Sequence, residues 1–131
     1  MKKFKSIGKL DNKKLAFLLE KRPDFALDIK DTDILMWDDR IQHIEKHRMN
    51  FRNIYDFDYY VDMIPEIIEN PDYIGVKEKN KSIQFIKQYD NNILIAIRLT
   101  TKGRLSFRTM YPITDGQLDD YIRKDTAWEY K

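Results

Sequence analysis

The stretch KSIQFIKQYDNNILIAIRLTTKGRLSFRTMY, residues 81–111, decides how this chain folds. Side chains along a strand alternate between two faces, so an apolar residue at every second position marks a face that is buried. Ile83, Phe85, Lys87 and Tyr89 share one such face, as do Ile93, Ile95, Ile97 and Leu99, and then Leu105, Phe107, Thr109 and Tyr111. Between the runs lie Asp90-Asn91-Asn92 and Thr101-Lys102-Gly103, which have the length and residue types of hairpin turns. Three strands in an antiparallel meander follow, led by a fourth in YIGVKEK, residues 73–79.

Toward the N-terminus the period changes. In DNKKLAFLLEKR (11–22) the apolar residues fall at helical spacing behind Asp11 or Asn12 as N-cap, and Pro23 ends the run. FALDIK (25–30) or DILMW (33–37) can each form a short strand, and Asp38 or Asp39 can cap a helix from about Arg40 to Met49. YDFDYYVDMIPEIIEN (55–70) reads as helical, with Pro65 expected to kink it or open a new turn. A last helix is expected from about Thr114 to Lys124. Helices first and sheet last predict an α+β domain, with N-terminal helices packed on one face of a C-terminal antiparallel sheet of about four strands. No repeat or Gly/Ser-rich linker divides the 131 residues, so one domain over 1–131 is expected.

The absence of cysteine excludes disulfides, thiolate nucleophiles and cysteine-ligated metals. Net charge is only +2, but it is unevenly spread. Six acids face one base between Asp24 and Asp39, and six acids face none between Asn53 and Asp72. From Lys77 to Arg108 eight bases face two acids, and a polyanion would choose this part. The acidic stretches repel phosphate and would suit a basic protein partner. No apolar run approaches the ~20 residues of a membrane span, and the charged N-terminus lacks the apolar stretch of a signal peptide, so a cytoplasmic location is expected.

Both histidines of the chain lie in RIQHIEKHR, residues 40–48. At about 100° per residue, His43 and His47 border the apolar stripe of Ile44 and Phe51. Three readings compete. A metal site lacks a third histidine, and Glu45 is displaced from the position that zinc proteases require; Arg40, Lys46 and Arg48 also oppose a divalent ion. An acid/base pair needs no metal: one imidazole takes the proton of a ribose 2′-hydroxyl, the other protonates the leaving 5′-oxygen, and arginines hold the phosphate. The third reading is a plain helix surface, which spacing alone does not exclude.

DILMWDDRIQHIEKHR, IPEIIENPDYI, QFIKQYDNNILIAIRL and FRTMYPI, in this order and spacing, resemble the phage barnase-EndoU-colicin-RelE-like nuclease family from about Asp33 to Ile113. The resemblance implies a compact RNase-like fold, RNA such as a tRNA or mRNA as substrate, DNA not expected, and no metal or other cofactor. It also raises a toxin role with a neutralising protein partner. By position it marks His43, His47, Thr109 and Tyr111 as catalytic candidates, Lys87 as a phosphate contact and Pro71-Asp72 as the turn into the sheet. Arg40, Arg48 and Arg108 complete the expected phosphate-binding set. The alternative is a module of the same fold that binds RNA or protein without cutting.

One conflict is visible at this level. Strict alternation puts Thr109 and Tyr111 with Leu105 and Phe107 on the buried face, and turns Arg108 and Arg98 the other way. Both sets cannot line one flat cleft. Either a twisted sheet edge exposes the far end of the apolar face, or the arginine face is the binding surface.

Overall fold

The computed structural model describes residues 3–25, 29–77, 79 and 81–131. In chain order the elements are β1 (Phe4–Lys9), α1 (Asn12–Lys21), β2 (Asp33–Trp37), α2 (Arg40–Ile44), a 3-10 turn (Glu45–Asn50), α3 (Ile54–Asp62), α4 (Ile64–Glu69), β3 (Tyr73–Lys77), β4 (Ser82–Gln88), β5 (Asn92–Leu99), β6 (Leu105–Ile113), α5 (Asp115–Arg123) and β7 (Ala127–Glu129). The expected meander is present, with β3, β4, β5 and β6 paired antiparallel in sequence order. The expected punctuation is present too. Asp11 caps α1 by accepting the Lys14 N–H at 2.8 Å. Pro65 stands in the first turn of α4, where its missing N–H removes no helical bond. Thr114 and Gln117 form a reciprocal capping box at the start of α5.

The layout as a whole differs from the expectation. The described strands form one seven-stranded mixed sheet, in the order β1-β2-β6-β5-β4-β3-β7, with five helices around it. This is not a four-stranded antiparallel sheet carrying N-terminal helices. Three physical reasons account for the error. β1 is an edge strand whose residues Phe4 to Ser6 are exposed, so no alternation marks it. β2 pairs antiparallel with β1 and parallel with β6, through Ile34 opposite Leu105 and Leu35 opposite Ser106; a parallel partner so distant in sequence leaves no local signal. β7 is three residues long, too short to show a period. The FALDIK reading includes residues 26–28 and so lies partly outside the described residues.

Two apolar clusters use the two sheet faces. The larger joins Ile93, Ile95, Ile97, Leu105 and Phe107 of the sheet to Leu18 of α1, Phe57 and Tyr60 of α3, and Ile67 and Ile68 of α4. The smaller joins Ile86, Leu94, Ala96 and Ile113 to Leu118 of α5. Helices therefore pack on both faces, and not on one as expected. The second face carries fewer apolar residues, and its polar remainder holds the candidate site.

Candidate functional site

The conflict on β6 is resolved by a single residue. Thr109 lies opposite Ala96 while Phe107 lies opposite Ile97, so Arg108 is an extra residue, a β-bulge. A one-residue shift turns every later side chain to the other face. Leu105 and Phe107 point into the main core before the bulge; after it Met110 does, while Tyr111 and Ile113 belong to the second cluster. Thr109 and Tyr111 therefore share a face with Arg98 and Ser106, which pair with each other across β5 and β6.

The bulge coincides with a change of neighbour. β2 pairs with β6 only as far as Ser106, and beyond that point α2 and the 3-10 turn pack against β6 instead. Arg40 secures the exchange, its Nε donating to the Arg108 carbonyl oxygen at 2.8 Å. Ile41 and Ile44 pack into or against the main core. The helix is also shorter than expected: it is α-helical only over Arg40–Ile44, and the following turns tighten to 3-10. Asp39 takes the N-cap position without a side-chain cap bond.

An open groove of about 510 Å³ is lined by Trp37, Arg40, His43, Arg98, Ser106 and Arg108, among others. A smaller pocket of about 260 Å³ is lined by Arg40, His43, Lys46, His47, Arg108 and Thr109. Shared Arg40, His43 and Arg108 make the two one continuous surface. His43 is open to solvent, with Nε2 3.6 Å from Asp39 Oδ2. His47 is half-buried; its ring lies 5.7 Å from that of Tyr111 at a 42° tilt, and Asn50 Nδ2 is 3.3 Å from its Nδ1. Burial, and then the positive charge of Lys46, hold the His47 pKa below the usual 6.5, which favours the neutral ring near pH 7. The Thr109 hydroxyl oxygen is buried with no hydrogen-bond partner. Leaving such a group unpaired costs about 1–3 kcal/mol, so its position beside a cationic pocket calls for an explanation.

The other expected site residues lie elsewhere. Arg48 grips Asp58 with two bonds of 2.9 Å, also donates to Glu45 and to the Ile54 carbonyl oxygen, and stacks over Phe57. These partners tie the 3-10 turn to α3 and raise the Arg48 pKa well above its ordinary value. Lys87 shares its strand face with Ile83 and Phe85 of the main core and donates at 2.7 Å to the carbonyl of Asn70, the C-cap of α4. Asp72, after the buried Pro71, accepts the Gln88 N–H at 2.7 Å and so fixes the turn into the sheet. Sequence reasoning left Arg98, Ser106, Trp37 and Lys46 out of the site. The outward alternation of Arg98 and Ser106 was a usable signal, whereas Trp37 reaches the groove only through the parallel pairing of β2.

Among the described residues no group of three His, Cys, Asp or Glu side chains could hold a metal ion, and no helix is long and apolar enough to cross a membrane. Neither a curated protein nor a solved structure matches the chain significantly. The family model described as phage-Barnase-EndoU-ColicinE5/D-RelE like nuclease3 does match, over residues 5–120, a longer span than the expected Asp33 to Ile113. A nuclease acts on nucleic acid, and the cationic groove between α2 and the bulged β6 has the charge for that substrate. The chain belongs to this nuclease family.

Proposed function

We propose that the protein is an endoribonuclease that cleaves by transesterification of the substrate's own 2′-hydroxyl, without a metal ion. The observation that carries this reading is the convergence on one surface of both histidines, Arg40, Arg108 and the unpartnered Thr109 hydroxyl. A 2′-hydroxyl is already adjacent to the phosphorus it attacks, so the enzyme need only move protons and stabilise charge.

His47, held neutral by burial and Lys46, removes the 2′-hydroxyl proton. The 2′-oxygen bonds to phosphorus, the bond from phosphorus to the 5′-oxygen breaks, and His43 protonates that leaving oxygen. Asp39, 3.6 Å from His43 Nε2, orients the ring for this transfer. Arg40 and Arg108 neutralise the charge that grows on the non-bridging oxygens, and the Thr109 hydroxyl donates to one of them, gaining the partner it otherwise lacks. Tyr111 backs the His47 ring, and Arg98 with Ser106 holds the neighbouring phosphate in the wider groove. Arg48 and Lys87 act at one remove, by holding the histidine turn and the α4 terminus in place.

The test is a product analysis. RNA treated with the purified protein in EDTA should yield 2′,3′-cyclic phosphate ends, and a strand with 2′-deoxyribose at the cleaved position should survive. Each histidine-to-alanine variant should lose about 10²- to 10⁴-fold in rate. Cleavage that needs an added divalent ion, or that accepts the deoxy strand, would contradict the proposal.

A further inference from the structure

A second basic pocket, of about 470 Å³, is lined by Arg22, Lys77, Lys79, Tyr121 and Lys124, with no acid among its described lining residues. Arg22 reaches the exposed Asp125 at 3.5 Å and Lys124 the half-buried Asp120 at 2.9 Å, so cations outnumber anions among the described residues at its rim. The Lys77 ammonium stands 3.3 Å from the centre of the Tyr121 ring. Its place in the sheet is the informative point. Lys77 lies opposite Ser82, Ser82 opposite Arg98, and Arg98 opposite Ser106. One row of paired residues on the histidine face thus runs from this pocket across four strands into the groove, with the small Ser82 buried within it between the longer Lys77 and Arg98.

Three strand spacings make the row about 14 Å long. That is about four nucleotides of a stacked strand, at ~3.4 Å each, and fewer when the strand is extended. Each end combines cations with an aromatic ring, Trp37 among Arg40, Arg98 and Arg108 at one end and Tyr121 among three lysines and Arg22 at the other. A cationic track with aromatic platforms holds single strands, because phosphates follow the charges while unpaired bases stack on the rings. A duplex offers no free base faces to those rings.

Resting on the ribonuclease reading, we propose that this pocket is a second phosphate and base subsite, and that the substrate is a single-stranded segment lying across the sheet from the histidines to Tyr121. Affinity then depends on length, increasing until the strand spans the row.

The experiment measures binding of labelled oligouridylates, a dinucleotide and an octanucleotide, by the full chain carrying His47→Ala to block cleavage. The octamer should bind at least about tenfold more tightly than the dimer. Adding Lys79→Glu and Lys124→Glu, both at exposed positions, should remove that advantage and reduce the salt slope for the octamer by about 1.4, at ~0.7 per lost phosphate contact. In a measurement that needs no lysine substitution, an octamer with 5-iodouridine at either end should photocrosslink to Tyr121. A lysine variant that keeps both the length advantage and the slope, or crosslinks confined to the groove around Trp37, would overturn the subsite and leave the ribonuclease reading standing. If the unsubstituted His47→Ala chain binds neither oligomer, both fall together.

Discussion

Two sets of cations surround the histidine turn, and they are employed differently. Arg40, Arg98 and Arg108 line an open groove on the face that carries Thr109 and Tyr111. Arg48 and Lys87 are engaged by the protein itself, one by Asp58, Glu45 and a backbone carbonyl, the other by the C-terminus of α4. In the sequence the two sets look alike. What distinguishes Arg48 is how many protein acceptors its guanidinium already holds, and a guanidinium with several satisfied bonds gains little from a phosphate. A basic residue beside a histidine is therefore weak evidence of phosphate binding until its partners are known.

The harshest way to break this contrast is to delete Arg108. Removing the bulged residue would join Phe107, opposite Ile97, directly to Thr109, opposite Ala96, in an uninterrupted ladder, so Met110 stays inward and what is lost is the Arg108 side chain and the carbonyl that Arg40 holds. The expected result is a fall in cleavage of at least about tenfold, from the lost charged contact, with the core pairs kept and little change in urea denaturation. A deletion variant destabilised by about 3–5 kcal/mol, the scale of emptying a large apolar site, would contradict this register.

A gentler comparison pairs Arg98→Ala with Lys87→Met. The first should raise KM about tenfold with little change in thermal unfolding, since it removes a charged contact in the groove. The second should cost up to about 1 kcal/mol of stability, the scale of a cation at a helix C-terminus, and change cleavage less than twofold. Steady-state kinetics and melting curves on the same samples would show whether the two cations separate as described.

The smallest effect sharpens the description of the groove side. His47 must be neutral to take a proton, so the rate should rise with pH through its pKa, with the acid limb below pH 6.5. Burial is the larger cause of that depression and the Lys46 charge the lesser. Lys46→Gln should therefore move the limb upward while keeping it below 6.5, because the larger cause, burial, remains. A limb that does not respond would detach Lys46 from the histidine.

Much of this was legible in the sequence, for identifiable reasons. The Ile93, Ile95 and Ile97 alternation, the Asn-rich and Gly-containing turns, the Asp11 cap and Pro65 are local signals, and each produced the element it announced. The edge strands were silent because β1 buries only Ile7 and β7 is too short for a pattern. The histidine turn was legible as a site candidate, but the face on which each of its companions lies was not. Alternation has period two, and nothing in RLSFRTMY tells a regular strand from one interrupted at Arg108. The bulge is specified by the distant pairings of β5 and β6 and by Arg40 on α2, so only the assembled sheet reveals it.

The central claim, that His47 takes the 2′-proton and His43 delivers one to the 5′-oxygen, is tested most directly by altering the leaving group. A 5′-bridging sulfur departs readily as a thiolate and needs no proton, so a variant lacking only the general acid should recover on such a substrate. Single-turnover cleavage of a 5′-thio RNA should proceed near the unsubstituted rate in His43→Ala and stay depressed in His47→Ala. Equal depression of both variants, or recovery in His47→Ala alone, would contradict the assignment.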